Sequence, residues 1–378
     1  MHSCDVLIVG GGPAGSTCAW RLVRAGLDVL VMDKQVFPRD KVCAGWITPP
    51  VVHSLQLDVA DYAQGRVMQP VHGFRTGIIG GATEVETHYG EAASFGIRRC
   101  EFDNYLLKRS RARLTLGEPL KSIVRDGNRW LVNSEIRAPL VVGAGGHFCP
   151  VSRALGSQLG QSETVVAAQE MEIRLTARER DDCRIDKSVV QFYFCPDFKG
   201  YGWCFAKGDY LNVGLGREDH HGLSEHVEQF CQWLQQRGSI PAHLPGRFKG
   251  HAYLLYSASR RMLTGDGMLL IGDAAGLAYP ESGEGIRPAV ESALMAAEVI
   301  LGAAGDYRQS MLEPYIGRLT NRFGKRSLRN ATPSWLPQEF RQKLAAKLMA
   351  TRWFARHVVI DRWFLHTGQR AALTRQPH

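Results

Sequence analysis

No run of about 18 apolar residues occurs anywhere in the 378-residue chain, so a membrane-spanning helix is excluded. There is no CxxC pair either. The 9 cysteines, an odd number scattered from Cys4 to Cys231, read as reduced and mostly buried thiols, not as disulfides, a zinc site or a dithiol redox centre. His220, His221 and His226 read as a solvated turn and not as a metal site. Internal repeats and low-complexity tracts are missing. So is a basic segment ahead of the apolar run Val6 to Val9, which makes the cytoplasm the expected compartment. What is present is a 44% hydrophobic composition, enough to bury a large core in two closely integrated lobes.

Acidic charge is in short supply: 46 Lys and Arg stand against 37 Asp and Glu, a net charge of +9. The excess collects after Gly317, at Arg318, Arg322, Lys325, Arg326 and Arg329, and again at Arg341, Lys343, Lys347, Arg352 and Arg356. Nucleic-acid binding needs a reading element or stacking platform besides charge, and none is visible, so no nucleic-acid partner is expected. Two readings stay open. Either this is a solvated helical surface, or it makes peripheral contact with an anionic membrane, because Trp353, Phe354, Trp363, Phe364 and Leu365 interleave with the charges.

The chain opens as strand, helix and strand, at Asp5–Val9, Gly12 to about Ala25, and Leu27–Met32, which is a Rossmann-type beginning. Arg99–Arg113 has the spacing of an amphipathic helix, with Phe102, Tyr105, Leu106 and Leu114 on one face. Strands are expected at Trp130–Val132, Leu140–Val142, Val189–Phe194, Leu211–Val213 and Met268–Ile271, and a helix of small and aliphatic residues at Ile286–Leu301. The expected fold is α/β. A Rossmann-type, glutathione-reductase-like dinucleotide domain is assembled from residues 1–50, 93–160 and 263–305. An antiparallel β-sheet substrate domain, residues 51–92 and 161–262, is inserted into it, and residues 306–378 form a helical C-terminal region.

Gly10, Gly12 and Gly15 form GxGxxG between the first strand and helix. The first permits a tight turn, the second lets the backbone approach a pyrophosphate, and the third lets helix pack on strand, with Ala14 in the same first turn. Asp33, followed by Lys34, ends the second strand about 20 residues on, where a carboxylate accepts hydrogen bonds from an adenosine ribose. This motif alone does not separate one dinucleotide from another. A second stretch, Gly272, Asp273, Ala274, Ala275 and Gly276, then Pro280, Gly283, Glu284, Gly285 and Ile286, runs from a strand end through a glycine-rich turn into a helix. That helix N-terminus can stabilise negative charge on a ligand, as a reduced flavin carries and a nicotinamide does not.

These segments resemble the p-hydroxybenzoate hydroxylase superfamily of FAD-dependent oxidoreductases and, within it, the geranylgeranyl reductase family, over most of residues 1–300. The resemblance implies non-covalent FAD, with Asp273 on its ribityl and pyrophosphate region and the Pro280–Gly283 loop beside its ring system. Arg99, in Arg-x-x-Phe-Asp with Phe102 and Asp103, matches the family's arginine before its FAD-domain helix; otherwise it is a surface arginine. Tyr201, Gly202, Trp203, Cys204, Phe205, Ala206 and Lys207 resemble the reductases' Tyr-x-Trp-x-Phe-Pro-Lys segment, with Ala206 in place of proline. Tyr201, Trp203 and Phe205 also alternate along one strand face and would wall a flat apolar cavity. Pro38, Lys41, Cys43, Ala44 and Gly45 resemble the Pro-x-x-Lys-x-Cys-Gly-Gly loop, making Cys43 a candidate for catalysis or substrate orientation, or else a small buried hydrophobe.

One departure concerns Ala144, Gly145, Gly146 and His147, where the superfamily has Ala-Asp-Gly. Either His147 substitutes for the Asp or it is an exposed turn residue, and the electron donor stays open between NADPH and a reduced ferredoxin or flavin, with a donor protein as a further partner. The resemblance implies reduction of carbon-carbon double bonds in an isoprenoid or other long apolar or lipid substrate, with Cys43, Tyr201 and Trp203 at the reacting end. Rival readings are a monooxygenase, a halogenase on weaker motif agreement, and a lipid-binding protein that keeps FAD as structure.

Overall fold

The structure, a computed structural model, describes residues 2–157, 163, 165–219, 221–326 and 337–369; His220 and Arg329 lie outside the described residues. Val6–Val9, Val29–Asp33 and Leu140–Gly143 are short runs of aliphatic residues, as suits strands covered on both faces. They lie centrally in a six-stranded sheet ordered Thr264–Gly265, Met268–Leu270, Leu140–Gly143, Val6–Val9, Val29–Asp33 and Arg113–Leu116, parallel except at its Thr264–Gly265 edge. The helices Pro13–Arg24 and Ile286–Gly302 pack on one another. Small side chains let them do so: a Cβ on Gly272 would sit 2.9 Å from the Cβ of Ala14.

The second sheet has seven strands, in the order Lys249–Leu254, Val165–Arg174, Tyr210–Arg217, Gly200–Lys207, Val189–Phe194, Gly73–Ile78 and Glu84–His88. All of its pairings are antiparallel except that of Val189–Phe194 with Gly73–Ile78. Side chains alternate across it. Tyr193, Cys204 and Val213 face the helix Leu223–Gln236, whereas Phe192, Phe194, Trp203 and Phe205 join a second cluster on the opposite face with Trp46, Phe74 and Phe364.

Two expectations from periodicity need correction. The helix beginning at Arg99 stops at Arg109, because Arg111 takes φ +56; Leu114 then lies in the strand Arg113–Leu116, 42% exposed, and not on the helix's apolar face. At the C-terminus, the helix Gln338–Met349 is followed by Arg352–Phe354 and a π-helical run Ala355–Phe364, which returns the chain to the aromatic cluster. Phe364 stacks on Phe192 at 4.1 Å, so Phe364 and Leu365 are core residues and not interfacial ones; Phe354 and Trp363 are half-buried, and Trp353 is 68% exposed. Part of the basic charge is likewise internal. Arg322 pairs with Glu291 at 2.5 Å and Arg326 donates to the carbonyls of Ser259, Arg261 and Ala275, whereas Arg318, paired with Glu298, stays exposed.

Lys207 ties the two halves together. Its side chain is fully buried, and Nζ donates to the carbonyls of Ala44 at 2.8 Å and Ile97 at 3.1 Å while pairing with Glu172 at 2.5 Å. The end of the Tyr201–Lys207 segment thus pins the loop that carries Cys43. Lys207→Met removes the cation while leaving the Glu172 carboxylate and both carbonyls, and should cost about 3 kcal/mol in urea unfolding, the order expected for a broken buried ion pair. An unchanged urea midpoint would show that the anchor is dispensable.

Candidate active site

One continuous cavity of about 1060 Å³ runs between the two sheets, at the upper end of the size of ligand pockets. It brings together Gly10, Gly12, Ala14, Asp33, Lys34, Arg99, Asp273, Gly283, Gly285 and Ile286 with Cys43, Tyr201 and Trp203. Gly15, Gly272 and Pro280 do not line it. Gly15 acts behind the wall: a Cβ there would meet the Gly10 carbonyl at 1.8 Å, so no other residue allows helix and strand to approach this closely.

At one end the wall suits a dinucleotide. Gly10 adopts φ +119, and a Cβ on it would strike the Ala144 carbonyl at 2.3 Å. A Cβ on Gly12 would meet nothing nearer than the Arg39 guanidinium at 3.5 Å, so this glycine opens onto the cavity instead of onto protein. Gly12 caps the helix without a side-chain hydrogen bond, and the first turn holds no acidic residue, leaving N–H donors and a positive dipole end for a pyrophosphate. Asp33 accepts from the Gly11 N–H at 2.7 Å, which fixes its carboxylate at the strand end. These features fit FAD. Arg99 is buried, not on the surface: it donates twice to Asp103 at 2.8 Å, and the Arg39 guanidinium forms an ion pair with Asp103 at 3.1 Å. Burial opposes the Arg99 charge, but Asp103 and the neighbouring Cys43 thiol outweigh it and raise its pKa.

Farther along, three polar side chains converge from different elements. Lys41 Nζ lies 3.0 Å from the His251 ring nitrogens, and His251 Nε2 lies 3.8 Å from Asp273 Oδ2. Burial pushes the Lys41 ammonium down to about 8, although Asp273 opposes it. Burial also lowers His251 and works to raise Asp273, whose carboxyl nevertheless ends below its ordinary value because His251, Lys41 and Arg99 face it. Asp273 is thereby held as an anion facing Lys41 and Arg99, with His251 beside it. His251 carried no signal in the sequence, since only the fold sets it beside Asp273.

The other end is apolar, lined by Trp46, Phe192, Tyr201, Trp203, Phe205 and Phe364. The Trp203 indole donates to Asn212 at 2.7 Å, and Asn212 to Glu170 at 2.6 Å, so its polar edge is satisfied away from the cavity. The Tyr201 hydroxyl donates to the Ser282 carbonyl, joining the aromatic strand to the loop ahead of Gly283. Cys43 is half-buried between the two ends, its sulfur accepting from the Gly45 N–H at 3.4 Å. His147 proves buried, 3% exposed, and not a solvent-facing turn residue; Arg261 holds its carbonyl at 2.9 Å and its ring at 3.1 Å. The place of Phe364 in this wall has no local signal in the sequence, because its partner Phe192 lies far away in the chain.

Two family profiles match the chain, one for FAD dependent oxidoreductases over residues 5–78 and one for the FAD binding domain over residues 119–320. The chain is similar to a menaquinone reductase of Mycobacterium tuberculosis, 29% identical over 79% of this chain and 76% of that one. It is also similar to a digeranylgeranylglycerophospholipid reductase of Methanocaldococcus jannaschii, 27% identical over 82% and 81%. In fold it resembles the crystal structure of a geranylgeranyl bacteriochlorophyll reductase-like protein of Thermoplasma acidophilum, with a TM-score of 0.75 at 22% identity over 97% and 99% of the two chains.

Gly12→Glu places a bulky anion where backbone must touch the pyrophosphate, and the purified variant should lose the yellow colour of bound flavin while keeping its circular dichroism. Asp273→Ala should weaken FAD by about 1.5–3 kcal/mol, the range for a hydrogen bond to a charged group, in a fluorescence titration. Stoichiometric flavin in the first variant, or unchanged affinity in the second, would overturn this placement.

Proposed function

The chain belongs to the FAD-binding domain family, and from that premise we propose that this FAD-dependent oxidoreductase saturates carbon-carbon double bonds in the polyprenyl chain of a lipid. The observation that carries the reading is the continuity of the cavity, in which a dinucleotide end and an aromatic end share one space. Menaquinone and digeranylgeranylglycerophospholipid differ in their head groups and share a polyprenyl chain, so the reductases named for them support a site that recognises that chain.

Bound FAD, once reduced, supplies a hydride equivalent. The chain's own residues bind, orient and keep the site dry. The Gly10–Gly15 turn and Asp33 hold the nucleotide half, and Lys41, His251 and Asp273 set the charge around the remainder. Tyr201, Trp203 and Phe364 give flat apolar faces along which a prenyl unit lies. Cys43, held by Gly45 and beside Arg99, shapes the passage between the two ends and orients the double bond. The physiological electron donor is NADPH or a reduced carrier, and Gly145 stands where the family's Asp would be.

The helix Gln338–Met349 supports the membrane side of this reading. Phe340, Leu344 and Leu348 recur every fourth residue on one face, 53%, 45% and 40% exposed, and Trp353 extends the patch. Arg341, Lys343, Lys347, Arg352 and Arg356 are exposed on the same segment, which matches an anionic membrane surface. Among the described residues no helix is long and apolar enough to cross a membrane, so this contact is peripheral.

Under anaerobic conditions the reduced enzyme should convert a polyprenyl lipid to a product heavier by two hydrogens in mass spectrometry. Addition of one oxygen in air, with no saturation in its absence, would make the protein a monooxygenase instead. Sedimentation with anionic vesicles should be salt-sensitive, each nearby Lys or Arg contributing about 1 kcal/mol, and should weaken in Phe340→Glu and Trp353→Glu. Absence of binding at low salt would leave the basic segment as a solvated surface.

A further inference from the structure

Glu284 stands between Gly283 and Gly285, ahead of the helix Ile286–Gly302, and lines the cavity with Cys43 and Tyr201. Its side chain is 6% exposed, and neither carboxyl oxygen has a hydrogen-bond partner among the described residues. A buried carboxylate in that condition would be strongly disfavoured, whereas a neutral carboxylic acid is tolerated. The loop leaves it little freedom to withdraw: Gly283 takes φ +67 with the Tyr253 hydroxyl packed where a Cβ would be, and a Cβ on Gly285 would lie 3.1 Å from Asp273.

Saturating a double bond requires more than hydride. One carbon gains the hydride with its electron pair, and the π pair forms the other C–H bond with a proton that must come from an acid. The reductase reading leaves that acid unassigned. We propose that Glu284 is the proton donor of the site, a buried carboxylic acid that gives its proton to the substrate carbon opposite the one taking hydride and recovers it from water after product leaves. Reduced FAD is the two-electron reductant in this step and is left oxidised, so atoms and charge balance. The assignment rests on the reductase reading for what receives the proton, but the location of the proton does not depend on it.

The surroundings hold Glu284 apart as the titrating group. Burial pushes its carboxyl up to about 8 against the pull of Arg287. Arg287 and Glu291 on the same helix are paired at 2.9 Å, with Arg322 closing on Glu291 from the helix Pro314–Phe323. His366, 4.0 Å away on the returning C-terminal segment, is lowered by burial to about 4 and is neutral. Tyr201 from the aromatic strand, Tyr253 from the Lys249–Leu254 strand and Tyr279 ahead of the loop are all raised by burial and stay protonated. Lys41, also near 8, belongs to the Asp273 group. The proton is therefore present at neutral pH and leaves as the pH rises through about 8.

The test uses the FAD-loaded protein with the conservative variants Glu284→Gln and Glu284→Asp. Infrared spectroscopy at neutral pH should show the C=O stretch of a protonated carboxyl in wild type, absent in Glu284→Gln and bleached as the pH rises through about 8. In stopped flow, Glu284→Gln should bind FAD and reach the reduced state as wild type does. Its reoxidation by a polyprenyl lipid should slow by about 10²–10⁴, the range of general acid catalysis, with part of the rate restored in Glu284→Asp. No carboxyl band assignable to Glu284, or a Gln variant that saturates substrate at the wild-type rate, overturns the proposal. A band present while no polyprenyl lipid is saturated contradicts the reductase reading and still upholds Glu284 as the protonated acid of the cavity.

Discussion

The Lys207 ammonium is shut away from water and shared among the Glu172 carboxylate and the carbonyls of Ala44 and Ile97. Charge buried in this way persists only where every donor direction is met, so the four groups fix one another. Their elements come from opposite parts of the molecule. Ala44 and Ile97 flank the first Rossmann segment and the helix that follows, whereas Lys207 and Glu172 lie on two strands of the seven-stranded sheet with Tyr210–Arg217 between them. This clasp holds the Cys43 loop to the end of the strand that carries Tyr201 and Trp203, and all three residues line the cavity. Gly45 takes part through its missing side chain: a Cβ there would lie 2.6 Å from Lys207 Nζ and 2.2 Å from the Ile97 carbonyl.

Charge and its absence then divide the cavity. Asp273 is an anion faced by Lys41, His251 and Arg99, so this part of the cavity is polar before any ligand arrives. Beyond Gly283 the groups are neutral: tyrosines whose pKa burial raises, a histidine whose pKa burial lowers, and a carboxyl that stays protonated. A neutral end lined by aromatic rings suits a hydrocarbon chain. Both ends are what the proposed reduction of a polyprenyl chain by an FAD-dependent oxidoreductase requires.

What could be read from the sequence was whatever the backbone itself constrains. Gly10, Gly12 and Gly15 announce their turn because no side chain fits at the first and third, and the aliphatic strand Val6–Val9 and the β-branched and aromatic strand Val189–Phe194 announce themselves by composition. Alternation along Tyr201–Lys207 correctly put Tyr201, Trp203 and Phe205 on one face. What escaped were pairings across long stretches of chain. Periodicity has no means of knowing that Phe364 will stack on Phe192, that Arg261 will draw His147 inside, or that His251 will stand beside Asp273. The helix from Arg99 was overextended for a local reason: the left-handed turn at Arg111 is taken by a residue that composition does not mark as a breaker.

The central claim is that FAD and a polyprenyl chain occupy two ends of one cavity. It is tested most directly by titrating the FAD-loaded protein with a fully saturated, unreactive polyprenyl lipid while recording the visible spectrum of the flavin. Contact across the shared space predicts a saturable shift of the flavin band that is lost when Trp203→Arg or Phe364→Arg places charge in the apolar end, with FAD still bound. Saturable binding of the lipid, measured by calorimetry, that leaves the flavin spectrum unchanged would put the two ligands in separate sites and contradict the account.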